Sequence, residues 1–146
     1  MVDVLRFRDD PQADEPAVTL DAFLDQSNAG SVRIEAGDDV RRLEPTLERV
    51  RLVEIDFPRF RDGRGFSSAR ILREMGYTGE IKATGDVLVD LVWFMRRCGF
   101  DSFAPNAPFD MDDVNAALNR YPHVYQHAAD EAVPIWALRH GAGKNG

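Results

Sequence analysis

A six-residue β-type run, Leu52–Phe57 (LVEIDF), ends at Pro58 and is followed by a loop rich in arginine and glycine. A helix-spaced stretch then runs to Gly76, and a second β-type run occupies residues 80–84. The connection over 58–79 is long enough for a helical crossover, which consecutive parallel strands require and a hairpin does not, so the two runs are expected to be parallel neighbours. The same alternation recurs along the chain. Residues 17–20 form a short β-type run, with Asp21 placed to cap a short helix, and residues 31–35 alternate as a strand should. Gly37-Asp38 opens a helix with Val40, Leu43, Leu47 and Val50 at helical spacing, although Pro45 lies inside it. Gly85-Asp86 starts another, expected to run through Cys98 with Leu88, Leu91, Val92 and Met95 inward and Asp86 at the N-cap. Residues 102–104 read as a last short strand, and Asp110 caps a helix over 111–120.

Repeated βα units of this kind define an α/β fold with a mainly parallel sheet. A closed barrel needs eight units and roughly 250 residues, so the expectation is an open sheet or a truncated (half) barrel. The 146 residues suit one domain. Residues 1–16 read as an N-terminal strand (2–8) plus a flexible acidic linker, 17–140 as a single α/β domain, and 141–146 as a disordered tail.

Composition excludes several classes of function. The longest apolar stretch, 87–95, is interrupted by Asp90 and falls far short of the ~18 residues that span a bilayer. The N-terminus lacks a secretory pattern, so a cytoplasmic location away from membranes is expected. A net charge of -7 opposes general nucleic-acid binding, which needs a basic face. Cys98 is the only cysteine, which excludes an internal disulfide or a four-cysteine cluster, and its place at a helix end favours a buried, inert thiol. His123 and His127 have i, i+4 spacing, but Pro122 and the β-prone Val124-Tyr125 oppose a helix there, so no metal and no cofactor is expected.

Charge is unevenly distributed. Residues 1–58 hold 14 acids and 7 arginines, whereas 59–146 hold 11 acids and 11 basic residues, and Arg59, Arg61, Arg64, Arg70 and Arg73 face a single acid, Asp62, within fifteen residues. In an open α/β sheet ligands bind outside the carboxyl ends of the strands. There, Arg61, Asp62, Gly63, Arg64, Gly65 and Ser67, with Lys82 and Gly85 from the next strand, form a candidate anion-binding set. The two glycines would permit close backbone approach, and the helix N-terminus would offer free N–H groups. The ordinary alternative is a glycine turn with solvated arginines and Ser67 as a cap.

Asp56 is unusual in a strand expected to be covered on both faces, and pairs with Lys82 or an arginine or else serves in catalysis. Asp86 is the second catalytic candidate beside its N-cap reading. Asp90, Trp93 and Arg97 share a helix face with Asp86 and form a candidate partner surface, against which stands a broader buried face for Trp93.

The stretch DFPRFRDGRGFSSARILREMGYTGEIKATGDVL, continued by RRCGFDSF, resembles a bacterial family known as DUF934, densely over residues 52–103 and more loosely over 30–140. Phe66 stands where the family usually has tyrosine after DGRG, and Asp90-Leu91 where it usually has Asp-Gln. Members are described as probable oxidoreductases of sulfite reduction and are commonly encoded beside the siroheme sulfite reductase subunit and the phosphoadenylyl-sulfate reductase. The resemblance implies an accessory protein of sulfate assimilation and cysteine biosynthesis, with sulfite reductase or its electron donor as partner. A small anion- or phosphometabolite-binding enzyme or sensor using loop 59–65 is the alternative, and a structural homodimer is a third possibility.

Overall fold

The computed structural model describes residues 1–13, 15–25, 28–58, 63–119 and the backbone of 136–139. Its strands are β1 (Val2–Arg6), β2 (Val18–Thr19), β3 (Ser31–Ile34), β4 (Leu52–Phe57), β5 (Glu80–Gly85), β6 (Ser102–Pro105) and β7 (Trp136–Arg139). The helices are α1 (Leu20–Asp25), α2 (Arg64–Glu74), α3 (Val92–Cys98) and α4 (Met111–Asn119), with 3-10 helices at Val40–Arg49 and Val89–Leu91.

All seven strands form one sheet in the order β2-β3-β4-β5-β6-β1-β7. β2 to β6 are parallel and sequential, and β4 and β5 are in register from Leu52↔Glu80 to Phe57↔Gly85. The sheet is open, with β2 and β7 at its edges. β1 lies antiparallel between β6 and β7, so the first strand belongs to the interior of the sheet.

Sequential parallel strands joined by right-handed crossovers place every connecting helix on one face. The core has that one-sided form. Val53, Ile55, Phe57, Ile81, Ala83 and Phe103 join Ala69 and Leu72 of α2 and Val92 and Met95 of α3 in one apolar cluster. Leu52, although equally buried, lies outside that cluster because it points to the opposite face. Glu54, Asp56, Lys82, Thr84 and Ser102 share that second face with it. Asp56 stands on that second face, away from the described helices, although Leu52, Glu80, Lys82 and Ser102 on the same face are also buried.

Local chemistry moves several boundaries. The segment Val40–Arg49 is a 3-10 helix, because Pro45 lacks an amide hydrogen and its ring clashes with the α-helical turn behind it. Thr19, not Asp21, caps α1, its Oγ1 accepting from Ala22 N at 3.2 Å. Asp86 is not an N-cap. Gly85 has φ +94°, Asp86 N donates to Phe57 O at 2.7 Å, and α3 begins only at Val92, after irregular backbone and one 3-10 turn. That delay turns Leu88, expected inward, out to 39% exposure. Asp110 does cap α4, accepting from Asp112 N at 2.8 Å.

Candidate functional site

The two ends of the parallel strands differ in character. At the amino ends a network of arginines and carboxylates closes the sheet. Arg6, at the end of β1, donates through Nε (3.1 Å) and Nη2 (2.9 Å) to Glu80 Oε1, and Ser102 Oγ donates to Glu80 Oε2 at 2.6 Å. Asp101, just before β6, gathers Arg8 Nη1 (3.0 Å) and Arg73 Nη2 (2.7 Å) on Oδ2 and Arg96 Nη1 (3.4 Å) on Oδ1. Arg73 also donates to the carbonyls of Tyr77, Gly79 and Gly99, and Arg96 to that of Phe100.

Hydrogen bonding to Arg8 holds the Asp10 carboxyl at about 2, against burial and with further help from the charges of Arg8 and Arg6. Burial pushes the Tyr77 phenol well above its usual range. Grooves of about 540 and 620 Å³ flank Arg8 at this end. Their arginines spend their donors on carbonyls and carboxylates, so the network satisfies buried groups and joins segments rather than receiving a ligand.

The acidic segment after β1 is tied into the same end. Arg6 Nη1 donates to the Asp10 carbonyl at 2.7 Å, Glu15 accepts from Gly30 N at 2.6 Å, and Glu15 pairs with Arg51. Glu80, Asp101, Arg6 and Arg8 did not stand out in the sequence, since their juxtaposition depends on β1 lying beside β6. Arg73 was visible only as part of a local charge cluster.

The carboxyl ends hold the expected loop. α2 begins at Arg64, so Ser67 lies inside its first turn and is not its cap; the N-cap is Gly63, which makes no side-chain cap hydrogen bond. Gly63 has φ -70° and open space where a Cβ would stand, so a side chain is tolerable there. Gly65 is the constrained glycine. A Cβ on it would lie 2.4 Å from the Phe57 ring and 3.2 Å from Ile55, so its role is to seat α2 on β4. Thr84 Oγ1 donates to Asp56 Oδ1 at 3.2 Å. A cavity of about 10 Å³ touched by Asp56, Arg64, Gly65 and Ser68 is room for roughly one water.

The proposed anion set therefore separates. Gly63, Arg64, Gly65 and Ser67 stay together at the start of α2. Lys82 lies in mid-strand on the face away from α2, and Gly85 is engaged in packing, where a Cβ would come 2.4 Å from Phe57 O. Arg61 and Asp62 lie outside the described residues, as do Arg59, His123, His127 and the tail 141–146. Arg70 stacks 5.9 Å from the Phe94 centroid. On α3, Arg97 is exposed, whereas Trp93 is half-buried against the core, 6.2 Å from Phe94 in an edge-on arrangement. Asp90 is exposed in the preceding 3-10 turn, which breaks the single helical face expected for the three residues. Cys98 is buried. Among the described residues no three histidine, cysteine, aspartate or glutamate side chains are grouped to hold a metal, and no helix is long and apolar enough to cross a membrane.

Fold and site together define an α/β protein with an open, mainly parallel sheet, the described helices on one face and a glycine-arginine turn at the strand carboxyl ends. The chain matches the family model of bacterial proteins of unknown function, DUF934, over residues 31–136, and it belongs to that family. No curated protein and no solved structure matches it.

Proposed function

We propose that this protein is a cytoplasmic accessory protein of assimilatory sulfate reduction, acting with sulfite reductase or its electron donor, and that the start of α2 binds an oxyanion. The family resemblance supplies the pathway. The observation that carries the binding reading is the first turn of α2: Gly63 provides no side-chain cap, Gly65 draws the turn down onto Phe57, and exposed Arg64 stands beside it. First-turn N–H groups without a side-chain cap, next to a guanidinium, suit sulfate, sulfite or phosphate. The single cysteine provides no thiol pair, so the role assigned here is to bind and present rather than to carry the electron.

Thermal shift with sulfite, sulfate and phosphate tests the binding. The wild type should be stabilised, since a ligand specific for the native state raises Tm, and an R61A/R64A variant should keep its ligand-free Tm while losing the shift. That variant should also fail to restore growth on sulfate to a strain lacking the gene, and the wild type should co-purify with sulfite reductase. Full complementation by the variant overturns the site. Ligand stabilisation without co-purification leaves the alternative, an anion-binding enzyme or sensor.

A further inference from the structure

The small cavity of about 10 Å³ at the carboxyl ends brings a carboxylate of the sheet to the start of α2. Glu35, just after β3, and Asp56 of β4 line it together with Arg64, Gly65 and Ser68 of α2. Thr84 Oγ1 donates to Asp56 Oδ1 at 3.2 Å and anchors that oxygen, while Asp56 Oδ2 makes no hydrogen bond with a described residue. Ser68 is 8% exposed, and its hydroxyl makes no hydrogen bond with a described residue. The other charged groups near Asp56 are Asp86, whose N–H is bonded to Phe57 O beside it, and Arg33, Glu54 and Lys82 one row toward the amino ends.

At the cavity itself two carboxylates, Glu35 and Asp56, stand against one guanidinium, Arg64. The first N–H groups of α2 belong to residues that border the same cavity, so an oxyanion seated on them has an oxygen beside Asp56, and the cavity has room for one such atom. A bare oxyanion oxygen next to an ionised carboxylate is repelled, because both are acceptors and neither supplies a proton. A hydroxyl oxygen on the ligand reverses the sign of that contact and makes it a charge-assisted hydrogen bond. The Ser68 hydroxyl accommodates either partner, since it both donates and accepts. A site that must receive a ligand O–H discriminates strongly against an analogue that lacks one.

We infer that Asp56 is a specificity residue that restricts the α2 site to oxyanions carrying a proton, hydrogensulfite or hydrogen phosphate, and excludes sulfate, which carries none near neutral pH. This rests on the oxyanion reading of α2 and narrows it. Arg64 and the first-turn N–H groups supply the attraction, Asp56 Oδ2 accepts the ligand's hydroxyl, and Thr84 holds the carboxylate in place for it. The site thereby distinguishes sulfite from the sulfate it derives from, although the two have the same charge when fully ionised.

The test is titration calorimetry of the full chain with sodium sulfite, sodium sulfate and inorganic phosphate, in mildly acidic and mildly alkaline buffer, on the wild type, D56N and S68A. The wild type should bind phosphate, which keeps a proton throughout, in both buffers, and should bind sulfate about tenfold or more weakly than phosphate. Its sulfite affinity should fall in the alkaline buffer, where sulfite loses its proton. D56N, whose amide can donate to a bare oxygen, should gain more affinity for sulfate than for phosphate and lose the pH dependence of sulfite binding. S68A should weaken phosphate binding and keep the preference over sulfate. If D56N fails to fold, the wild-type order of affinities and the sulfite profile decide the matter. Sulfate binding to the wild type as tightly as phosphate overturns the inference and leaves the oxyanion reading standing. So does discrimination that persists unchanged in D56N, the result expected of a cavity that merely holds a water. Failure of every anion to bind either the wild type or D56N overturns both readings together.

Discussion

Gly85 shows how much one position can fix. Its φ of +94° is a region that side chains other than glycine avoid, and a Cβ would come 2.4 Å from a backbone oxygen that cannot move without disturbing β4. G85A should therefore cost about 2 kcal/mol or more, the sum of strain and clash, in a urea unfolding curve. G63A, at a position with φ -70° and open space, should be nearly neutral. Asp10 predicts a pH dependence. Its carboxyl is held at about 2 against an ordinary 3.8, so the stability it confers is fully present above pH 3.8 and is lost as pH falls through about 2. D10N should flatten the acid limb of the stability curve in that window and lower the curve by a constant amount above pH 3.8, where the ionised carboxylate no longer contributes. The glycines were legible in the sequence as turn formers, but which of them was under constraint was not, because that depends on Phe57 lying beneath Gly65 and on β4 passing beside Gly85.

Elements were most legible where local signals agreed. Strand Leu52–Phe57, its proline stop, the Gly76 end of α2 and the Asp110 cap all follow from neighbouring residues alone. The start of α3 was misread because helical spacing from Leu88 onward could not reveal that Asp86 N is drawn to Phe57 O. The candidate turn was placed correctly at the carboxyl end of β4, but Lys82 was assigned to it because a linear sequence does not state which face of a strand a helix will cover. The amino-end network was missed for the same reason: Arg6 and Glu80 are 74 residues apart. Its contribution can be measured. An R6M variant leaves Glu80 buried with Ser102 as its remaining side-chain partner and should destabilise the protein by about 3–5 kcal/mol, whereas R6M/E80L should recover much of that loss. Equal stability of the single and double variants would deny the pair its buried character.

At the scale of the whole molecule, strand order puts β1 between β6 and β7, while the family model starts only at β3. The first strand is thus required by a sheet most of whose length is encoded far downstream. Val2, Leu5 and Phe7 are each at most 1% exposed, and Phe7 meets Phe103 edge-on at 6.0 Å. During synthesis β1 leaves the ribosome long before β6, and at about 5–20 residues per second it waits on the order of 5–20 s for its partner to be made. An apolar strand with unpaired edges is exposed throughout that interval. The parallel half can assemble progressively, unit after unit, but the antiparallel half cannot begin until β6 appears, so closure of the sheet is a late, long-range event. The chain's vulnerability to aggregation should accordingly peak before synthesis reaches residue 105 and fall sharply afterwards, a profile that stalled nascent chains of graded length would display.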